Sequence, residues 1–248
     1  MPAPPEPFTD LVAPVAGGRV FAQEVVPRLG DAAPGGRVRL DALAEWLQDV
    51  AYADVLDAGL HEAALWVVRR ARLSVRRFPR FGEPATVRTW CSGLGRLWAE
   101  RRTSVTTAAG GDVEAVALWV HLDPRGGRPV PLDERELAVY GASAAGREVR
   151  ARLRHGPPGA EAASERWRFR ATDLDLADHV NNAVAWRPLE EELLAAPGEI
   201  AQIDAEIEHR APIQPGELEV RRAPGALWLV ADGGDVRASI LHRPSAGR

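Results

Sequence analysis

Near its N-terminus the chain shows two hydrophobic patterns in succession. Residues Arg19 to Val26 alternate between apolar and polar side chains, which predicts a strand with one buried face. In the stretch RLDALAEWLQDVAYADVLDAGL, apolar residues recur at helical spacing instead. This pattern predicts a long helix that Asp41 can cap and that Gly59 ends.

The next part of the chain contains four strand-like segments in a row. Their sequences are LWVVRRARLSVRRF, ATVRTWCS, LWAERRTSVTT and VEAVALWVHLD. The segments between them, PRFGEP, GLGR and AAGGD, are rich in turn formers. A strand, a long helix and four consecutive strands predict an antiparallel sheet wrapped on the helix.

This order of elements occurs a second time. Residues 124–160 are rich in Pro, Gly, Ala and Arg and are predicted to be a connection, with a short helix near Glu134 to Val139. A strand (ERWRFRAT) and a helix (DHVNNAVAWRPLEEELLAA, with a kink or restart near Pro188) follow. Four further strands are IAQIDAEIEHRA, GELEVRRA, ALWLVADG and DVRASILHR. We therefore predict a Pro-rich tail over 1–15, a first repeat over 16–123, the connection, and a second repeat over 161–248.

The segment before each helix supports the repeat at the level of residues. DAAPGGRVRL and DLDLADHVNN align without a gap, pairing Asp31 with Asp173, Ala33 with Asp175, Arg37 with His179 and Val38 with Val180. The polar cluster is thus present in the second copy and replaced in the first, where the site is degenerate. A purely structural turn would have less reason to differ in this way.

Composition excludes several classes of protein. A formal net charge of -4 argues against nucleic acid and anionic membranes as partners. No apolar run is long enough to span a bilayer, and the start of the sequence lacks the features of a signal peptide, so we expect a cytoplasmic protein. The chain has no lysine, which P-loop, protein-kinase and Schiff-base chemistry each require.

The sequence predicts neither a metal nor a cofactor. A single cysteine, Cys91, rules out an internal disulfide and a multi-cysteine zinc site, and it is expected to be buried packing. The histidines outside the polar cluster show no metal-ligand spacing, and GLGRLW lacks the third glycine of a dinucleotide fingerprint.

Three segments together resemble a known family. DLDLADHVNN, RFPRFGEPATVRTWCSG and the strand VALWVHLD resemble the acyl-(acyl-carrier-protein) thioesterases of the plant type and their bacterial relatives, over roughly Phe21 to His242. The resemblance implies an α+β double hotdog, in which each helix is wrapped by a curved antiparallel sheet. It also implies an acyl carrier protein as partner, an acyl chain held in a tunnel, and a thioester that meets residues at the start of the second helix.

The resemblance also suggests site residues. The catalytic aspartate and histidine of the family match Asp175 and His179. The family's asparagine between them is replaced by Ala177, and its Glu-Cys pair falls on Arg210 and Ala211. A shift of two residues would bring Glu208 into the glutamate position.

Hydrolysis of a thioester needs an activated water and a stabilised oxyanion. Asp175 can accept a proton or orient His179, and imidazole suits the role of general base because histidine titrates near neutral pH. Backbone N–H groups at the start of the helix can bind the oxyanion. Asn181 and Asn182 are predicted to bind substrate, or to cap the helix.

Several alternatives remain open at this point. The polar cluster could be a turn with a capping aspartate and a surface histidine, where Asp173 and Asp178 are predicted to serve as turn and capping residues. The protein could bind acyl chains without catalysis, or be a hotdog hydratase or dehydratase. One chain supplies both repeats, so a monomer and a homodimer are both possible.

A basic stretch extends into the predicted turn PRFGEP. It is either a solvated strand face or a docking patch for an acidic carrier protein. Its residues are Arg69, Arg70, Arg72, Arg76, Arg77 and Arg80.

Overall fold

The computed structural model describes residues 8–61, 65–123 and 125–243. Residues 1–7 of the predicted tail, 62–64 of the predicted first repeat, 124 of the predicted connection and 244–248 of the predicted second repeat therefore lie outside the described residues. The elements up to the connection are β1 (Phe21–Val25), α1 (Leu40–Asp57), β2 (Leu65–Arg77), β3 (Ala85–Leu94), β4 (Trp98–Thr107) and β5 (Asp112–Leu122).

The later part of the chain forms the same series of elements after one extra helix. Its elements are α2 (Glu134–Ala144), β6 (Ala163–Phe169), α3 (Arg187–Ala195), β7 (Ile203–His209), β8 (Gly216–Ala223), β9 (Ala226–Val230) and β10 (Val236–Arg243). The connection thus contains the predicted short helix, which is longer than the pattern indicated. No helix in the described part of the chain combines the length and the apolar character needed to cross a membrane.

All ten strands of the described structure form one sheet with a palindromic order. The strands run β1-β3-β4-β5-β2-β7-β10-β9-β8-β6, and the neighbours pair in antiparallel fashion. Strands β2 and β7 meet at the centre, with Ala71 opposite Ile207. Because the order on one side of this pair mirrors the order on the other, each half is the same helix-wrapped sheet. The predicted α+β double hotdog is confirmed.

The core extends across both halves. Helix α1 buries the apolar side chains of its sheet-facing side, among them Leu43, Leu47 and Val50, in the same cluster as Ile207 and Ile240 of the second half. Full burial of each such side chain contributes roughly 1.5–3 kcal/mol. The two repeats are therefore stabilised by a shared interior.

The two helices begin differently from one another. The prediction that Asp41 caps α1 is wrong, because Arg39 occupies the capping position and Asp41 lies in the first turn. There Asp41 is buried and pairs with Arg39 and Arg187. The predicted restart near Pro188 is confirmed, since a short 3₁₀ turn (Val184–Trp186) precedes α3 and Pro188 occupies its first turn.

The outer face of β2 and β7 carries charges rather than apolar residues. Arg72 pairs with Asp204 at 2.7 Å, and Arg154 of the connection pairs with Glu206 at 2.8 Å. Arg70 is buried as well, so this part of the basic stretch is not a solvated strand face. Further along the stretch, Arg76 and Arg80 each pair with an acidic residue. The connection therefore covers this face through the ion pair of Arg154, and the segment after residue 8 covers it through hydrogen bonds of Thr9.

Candidate functional site

The turns that precede the two helices have the same backbone hydrogen bonds, 142 positions apart. In both turns the N–H of the first aspartate donates to the carbonyl of the residue three positions earlier. The N–H five positions after that aspartate donates to the carbonyl two positions after it, and the N–H eight positions after the aspartate donates to the carbonyl of the aspartate itself. The N–H to O distances are Asp31–Arg28 3.0 Å and Asp173–Arg170 3.0 Å, Gly36–Ala33 2.8 Å and Asp178–Asp175 3.1 Å, and Arg39–Asp31 2.8 Å and Asn181–Asp173 2.9 Å. These pairs follow the gapless alignment of the two segments.

The second turn brings Asp175 and His179 together through the backbone. The N–H of Asp175 donates to the carbonyl of His179 at 2.9 Å, and Asp175 Oδ1 accepts from the N–H of Ala177 at 2.9 Å. Asp175 is exposed and His179 is half-buried. Their side chains form no hydrogen bond with each other within the described structure, so both remain available to a third group.

The two asparagines after this turn have different environments. Asn181 Oδ1 accepts from the N–H of Ala183 at 2.8 Å and from Gln48 Nε2 of α1 at 3.0 Å, so Asn181 holds the start of the second helix against the first half. Asn182 lines a cavity. The N–H of Asn182 donates no hydrogen bond to any of the described residues.

In the first turn the corresponding N–H is occupied. The N–H of Leu40 donates to Glu190 Oε2 at 3.0 Å, and Glu190 Oε1 accepts from Arg37 Nη2 at 2.7 Å. Arg37 and Glu190 are both buried, and the guanidinium lies over the ring of Phe78. A carboxylate at the start of a helix is stabilised by the free N–H groups there. Glu190 and Gln48 are 142 positions apart and therefore occupy equivalent positions in the two repeats. Glu190 contributes a carboxylate to the first turn, whereas Gln48 contributes an amide to the second.

The cavity lies between the two halves. It measures about 20 Å³, which accommodates about one water-sized group. Asp175 and His179 are not among the residues that line it. The lining residues are Ala44, Leu47, Gln48, Val68, Ala71, Ala117, Trp119, Asn182, Ala183, Trp186 and His209.

His209 is the residue of this cavity that the sequence analysis passed over. It is buried at the end of β7, and its Nε2 has no hydrogen-bond partner within the described structure. Burial, together with the nearby charge of Arg69, lowers the pKa of His209 to about 3, so the imidazole is neutral at neutral pH. The signal was in the strand pattern, because His209 continues the inward-facing series Ile203, Ala205 and Ile207.

The glutamate that the family pattern could have placed in the site faces the other side of the sheet. Glu208 accepts hydrogen bonds from the backbone N–H groups of Arg154 and His155, at 2.7 and 3.0 Å. The side chain of Arg210 donates to the carbonyl of His155. Neither residue lines the cavity.

One group of side chains on that outer face has metal-ligating atoms close together. His155, Glu206 and Glu208 each offer one ligand atom, and these atoms lie within 4.8 Å of one another. The carboxylates already accept from backbone N–H groups and from the guanidinium of Arg154. Burial raises the pKa of Glu206, but His155, Thr9 and the charge of Arg154 together outweigh burial and lower that pKa to about 2. This arrangement fits a buried ion-pair network better than a metal site.

Cys91 is buried in β3. Burial raises the pKa of its thiol to about 11, so the thiol is protonated at neutral pH. Its environment fits packing rather than nucleophilic chemistry.

Two comparisons with known sequences bear on the identity of the chain. Residues 18–140, just under half of the chain, match the family model of the acyl-ACP thioesterase N-terminal domain. An uncharacterized protein of Mycobacterium tuberculosis (strain H37Rv) is 29% identical over 213 residues, which is 84% of this chain and 85% of that relative.

Solved structures share the fold over nearly the full length. An acyl-ACP thioesterase from Bacteroides thetaiotaomicron superposes with a TM-score of 0.73 at 17% identity, covering 90% of this chain and 98% of that one. The 12:0-ACP thioesterase from Umbellularia californica superposes with a TM-score of 0.69 at 19% identity, covering 91% and 97%. At these identities the structures establish the double-hotdog fold.

Proposed function

We propose that this chain, which belongs to the acyl-ACP thioesterase family, hydrolyses the thioester between an acyl group and acyl carrier protein. The relatives with this fold include thioesterases named for acyl-ACP substrates. The residues that line the cavity between the halves are mostly apolar, and its volume of about 20 Å³ fits one small group rather than an acyl chain.

A single observation carries the proposal: the free N–H of Asn182. Its counterpart in the first turn, the N–H of Leu40, binds the carboxylate oxygen of Glu190. That oxygen marks where an anion is stabilised at the start of such a helix. In the second turn the same position is open, and an oxyanion formed on the thioester carbonyl would accept this N–H. A donor of this kind lowers the barrier by about 3 kcal/mol.

Asp175 and His179 supply the proton transfer in this proposal. His179 accepts a proton from water as the water oxygen attacks the carbonyl carbon, and Asp175 orients or assists the imidazole. When the tetrahedral intermediate collapses, His179 returns the proton to the leaving thiolate. These roles are supported by the position of both residues on the turn that precedes Asn182 in the chain, where the N–H of Asp175 donates to the carbonyl of His179.

Release of free carrier thiol from decanoyl-acyl carrier protein tests the proposal. We expect His179→Ala and Asp175→Asn each to lower kcat by about 100-fold or more with an unchanged Tm. Asp178→Asn is the matched control, because it makes the same kind of change in the same turn at a residue outside the proposed machinery. Near-normal turnover in both variants would reject the roles of Asp175 and His179.

A second candidate is an acyl-binding protein without hydrolytic activity. It is favoured by Ala177, where the family has an asparagine, and by the absence of Asp175 and His179 from the cavity lining. Saturable binding of acyl carrier protein thioesters with no release of thiol would select this candidate.

A further inference from the structure

The residues that line the cavity carry more unpaired nitrogen groups than a simple acyl thioester can use. The cavity is lined by Asn182, whose N–H donates no hydrogen bond to the described residues, by Trp119 of β5 and by His209 of β7. Trp119 Nε1 and His209 Nε2 are both buried and without a hydrogen-bond partner in the described structure. One of these side chains comes from each half of the chain.

An unsubstituted acyl group leaves these two side chains unsatisfied. It has a single oxygen, the thioester carbonyl, and the rest of the chain is hydrocarbon. Indole N–H is a donor only, and leaving a buried donor against an alkyl chain costs free energy. A site with such donors discriminates in favour of a ligand that carries a matching oxygen.

We infer that the acyl group hydrolysed here carries a second oxygen next to the thioester, as a 3-oxo- or 3-hydroxyacyl group, which accepts hydrogen bonds from Trp119 and His209. This inference rests on the proposed function and adds the substrate class. The cavity volume of about 20 Å³ matches a group of one oxygen atom rather than a longer branch.

The state of His209 suits this role. With a pKa of about 3 the imidazole is neutral at neutral pH, so its Nε2–H can donate without a buried charge. The same low pKa makes it a poor general base, which separates its role from that of His179.

The chemistry places the enzyme within a reaction sequence. A 3-oxoacyl thioester is the product of a carbon–carbon condensation of two acyl thioesters, and reduction of its ketone gives the 3-hydroxyacyl thioester. A hydrolase with this preference would therefore remove acyl groups after condensation or ketone reduction, before the oxygen is lost.

The test compares three substrates of one chain length: decanoyl-, 3-hydroxydecanoyl- and 3-oxodecanoyl-acyl carrier protein. We expect the wild type to show a kcat/KM about tenfold or more higher for an oxygenated substrate than for decanoyl. In Trp119→Phe and His209→Phe this ratio falls toward one, and His209→Gln, which keeps a donor, restores part of it. Trp167→Phe is the control, because Trp167 Nε1 is also buried and unpartnered but lies outside the cavity lining, so the ratio should stay at the wild-type value.

The outcomes separate this inference from the proposed function. Equal kcat/KM for the three substrates in the wild type, or an equal ratio in the wild type and both cavity variants, overturns the inference and leaves hydrolysis intact. Absence of turnover with all three substrates rejects the proposed function instead. In that case binding is measured instead, with pantetheine analogues in which an amide replaces the thioester of each of the three acyl groups. Equal Kd values for the three analogues in the wild type, or an equal Kd ratio in the wild type and both cavity variants, overturn the inference.

Discussion

The two turns that precede the helices have the same backbone hydrogen bonds but different side chains. In the first turn, Arg37 and Glu190 form a buried ion pair, and Glu190 also satisfies the N–H of Leu40. In the second turn, the residue aligned with Arg37 is the half-buried His179, and the N–H of Asn182 is free. The first arrangement satisfies the first N–H of α1 with protein atoms, while the second leaves the N–H of Asn182, two residues before the 3₁₀ turn that leads into α3, open to a ligand.

This difference shows how a repeat can divide stability from function. A helix start needs partners for its N–H groups, and a buried carboxylate fulfils that need in the first half. Because the first half is closed, it can provide Gln48 and Trp119 as fixed walls for the cavity of the second half. The cavity is therefore lined by both halves, although the proposed reacting groups Asp175 and His179 lie in one of them.

The largest effect is expected from breaking the closed turn. Glu190→Ala leaves the guanidinium of Arg37 buried without a partner and the N–H of Leu40 unsatisfied, so we expect the free energy of unfolding to fall by about 3–5 kcal/mol. Urea unfolding measures this loss. Glu192→Ala on the same helix removes an exposed pair with Arg222 and should cost less than about 1 kcal/mol. Equal losses in the two variants would contradict a structural role for the buried pair.

Placing a carboxylate next to the free N–H of the second turn should lower kcat strongly. Gln48→Glu places a carboxylate at the position that corresponds to Glu190, where it can accept from the N–H of Asn182. We expect kcat to fall by about 100-fold, since an oxyanion donor is occupied. The free energy of unfolding should fall as well, because a carboxylate cannot donate the hydrogen bond that Gln48 Nε2 gives to Asn181 Oδ1. Gln48→Ala is the control, because it removes the bond to Asn181 and part of the cavity wall without adding a carboxylate, and it should affect turnover less. Wild-type turnover in Gln48→Glu would show that this N–H does not bind the oxyanion.

The buried His209 should make the protein sensitive to mild acid. Its pKa of about 3 in the folded protein lies below the ordinary value of 6.5, so the unfolded chain takes up a proton first as the pH falls. The free energy of unfolding therefore does not depend on His209 well above pH 6.5, and it falls by up to about 1.4 kcal/mol per pH unit between about pH 6.5 and pH 3. Between pH 6.5 and 5 the wild type should therefore lose about 2 kcal/mol more than His209→Phe.

Thermal and urea unfolding of both proteins at these pH values measures the difference. His209→Phe should be at least as stable as the wild type at pH 7, because Nε2 has no partner to lose. Parallel pH profiles for the two proteins would mean that His209 is not buried in a neutral form.

The smallest effect tests the shared backbone of the turns. Gly36 and Asp178 correspond to each other and have positive φ angles of 91° and 60°. We expect Gly36→Ala and Asp178→Ala each to lower the free energy of unfolding by about 1 kcal/mol, because alanine is strained in this conformation. Asp178→Gly should stay within about 0.5 kcal/mol of the wild type, since glycine adopts positive φ freely. Opposite signs for the two alanine variants would argue against equivalent turns.

The sequence alone predicted the repeated order of one strand, one helix and four strands, and the alignment of the two turns. It could do so because alternation and helical spacing are local consequences of which face is buried. It also predicted the restart at Pro188, since proline restricts the backbone at its own position. The capping role of Asp41 was predicted wrongly. The preceding turn ends at Arg39, whose N–H is bonded to Asp31, so the helix begins at Leu40 and Asp41 lies inside its first turn.

The partners of each turn were decided only by the tertiary structure. Glu190 and Leu40 are 150 positions apart, and Gln48 and Asn181 are 133 apart, so no local pattern could pair them. The same holds for His209 and Trp119, which meet in one cavity because the central strands β2 and β7 join the two halves. Local patterns in the sequence determined the helices, the strands and the equivalence of the two turns. Long-range packing decided which turn has its N–H bonded to a carboxylate and which has its N–H free.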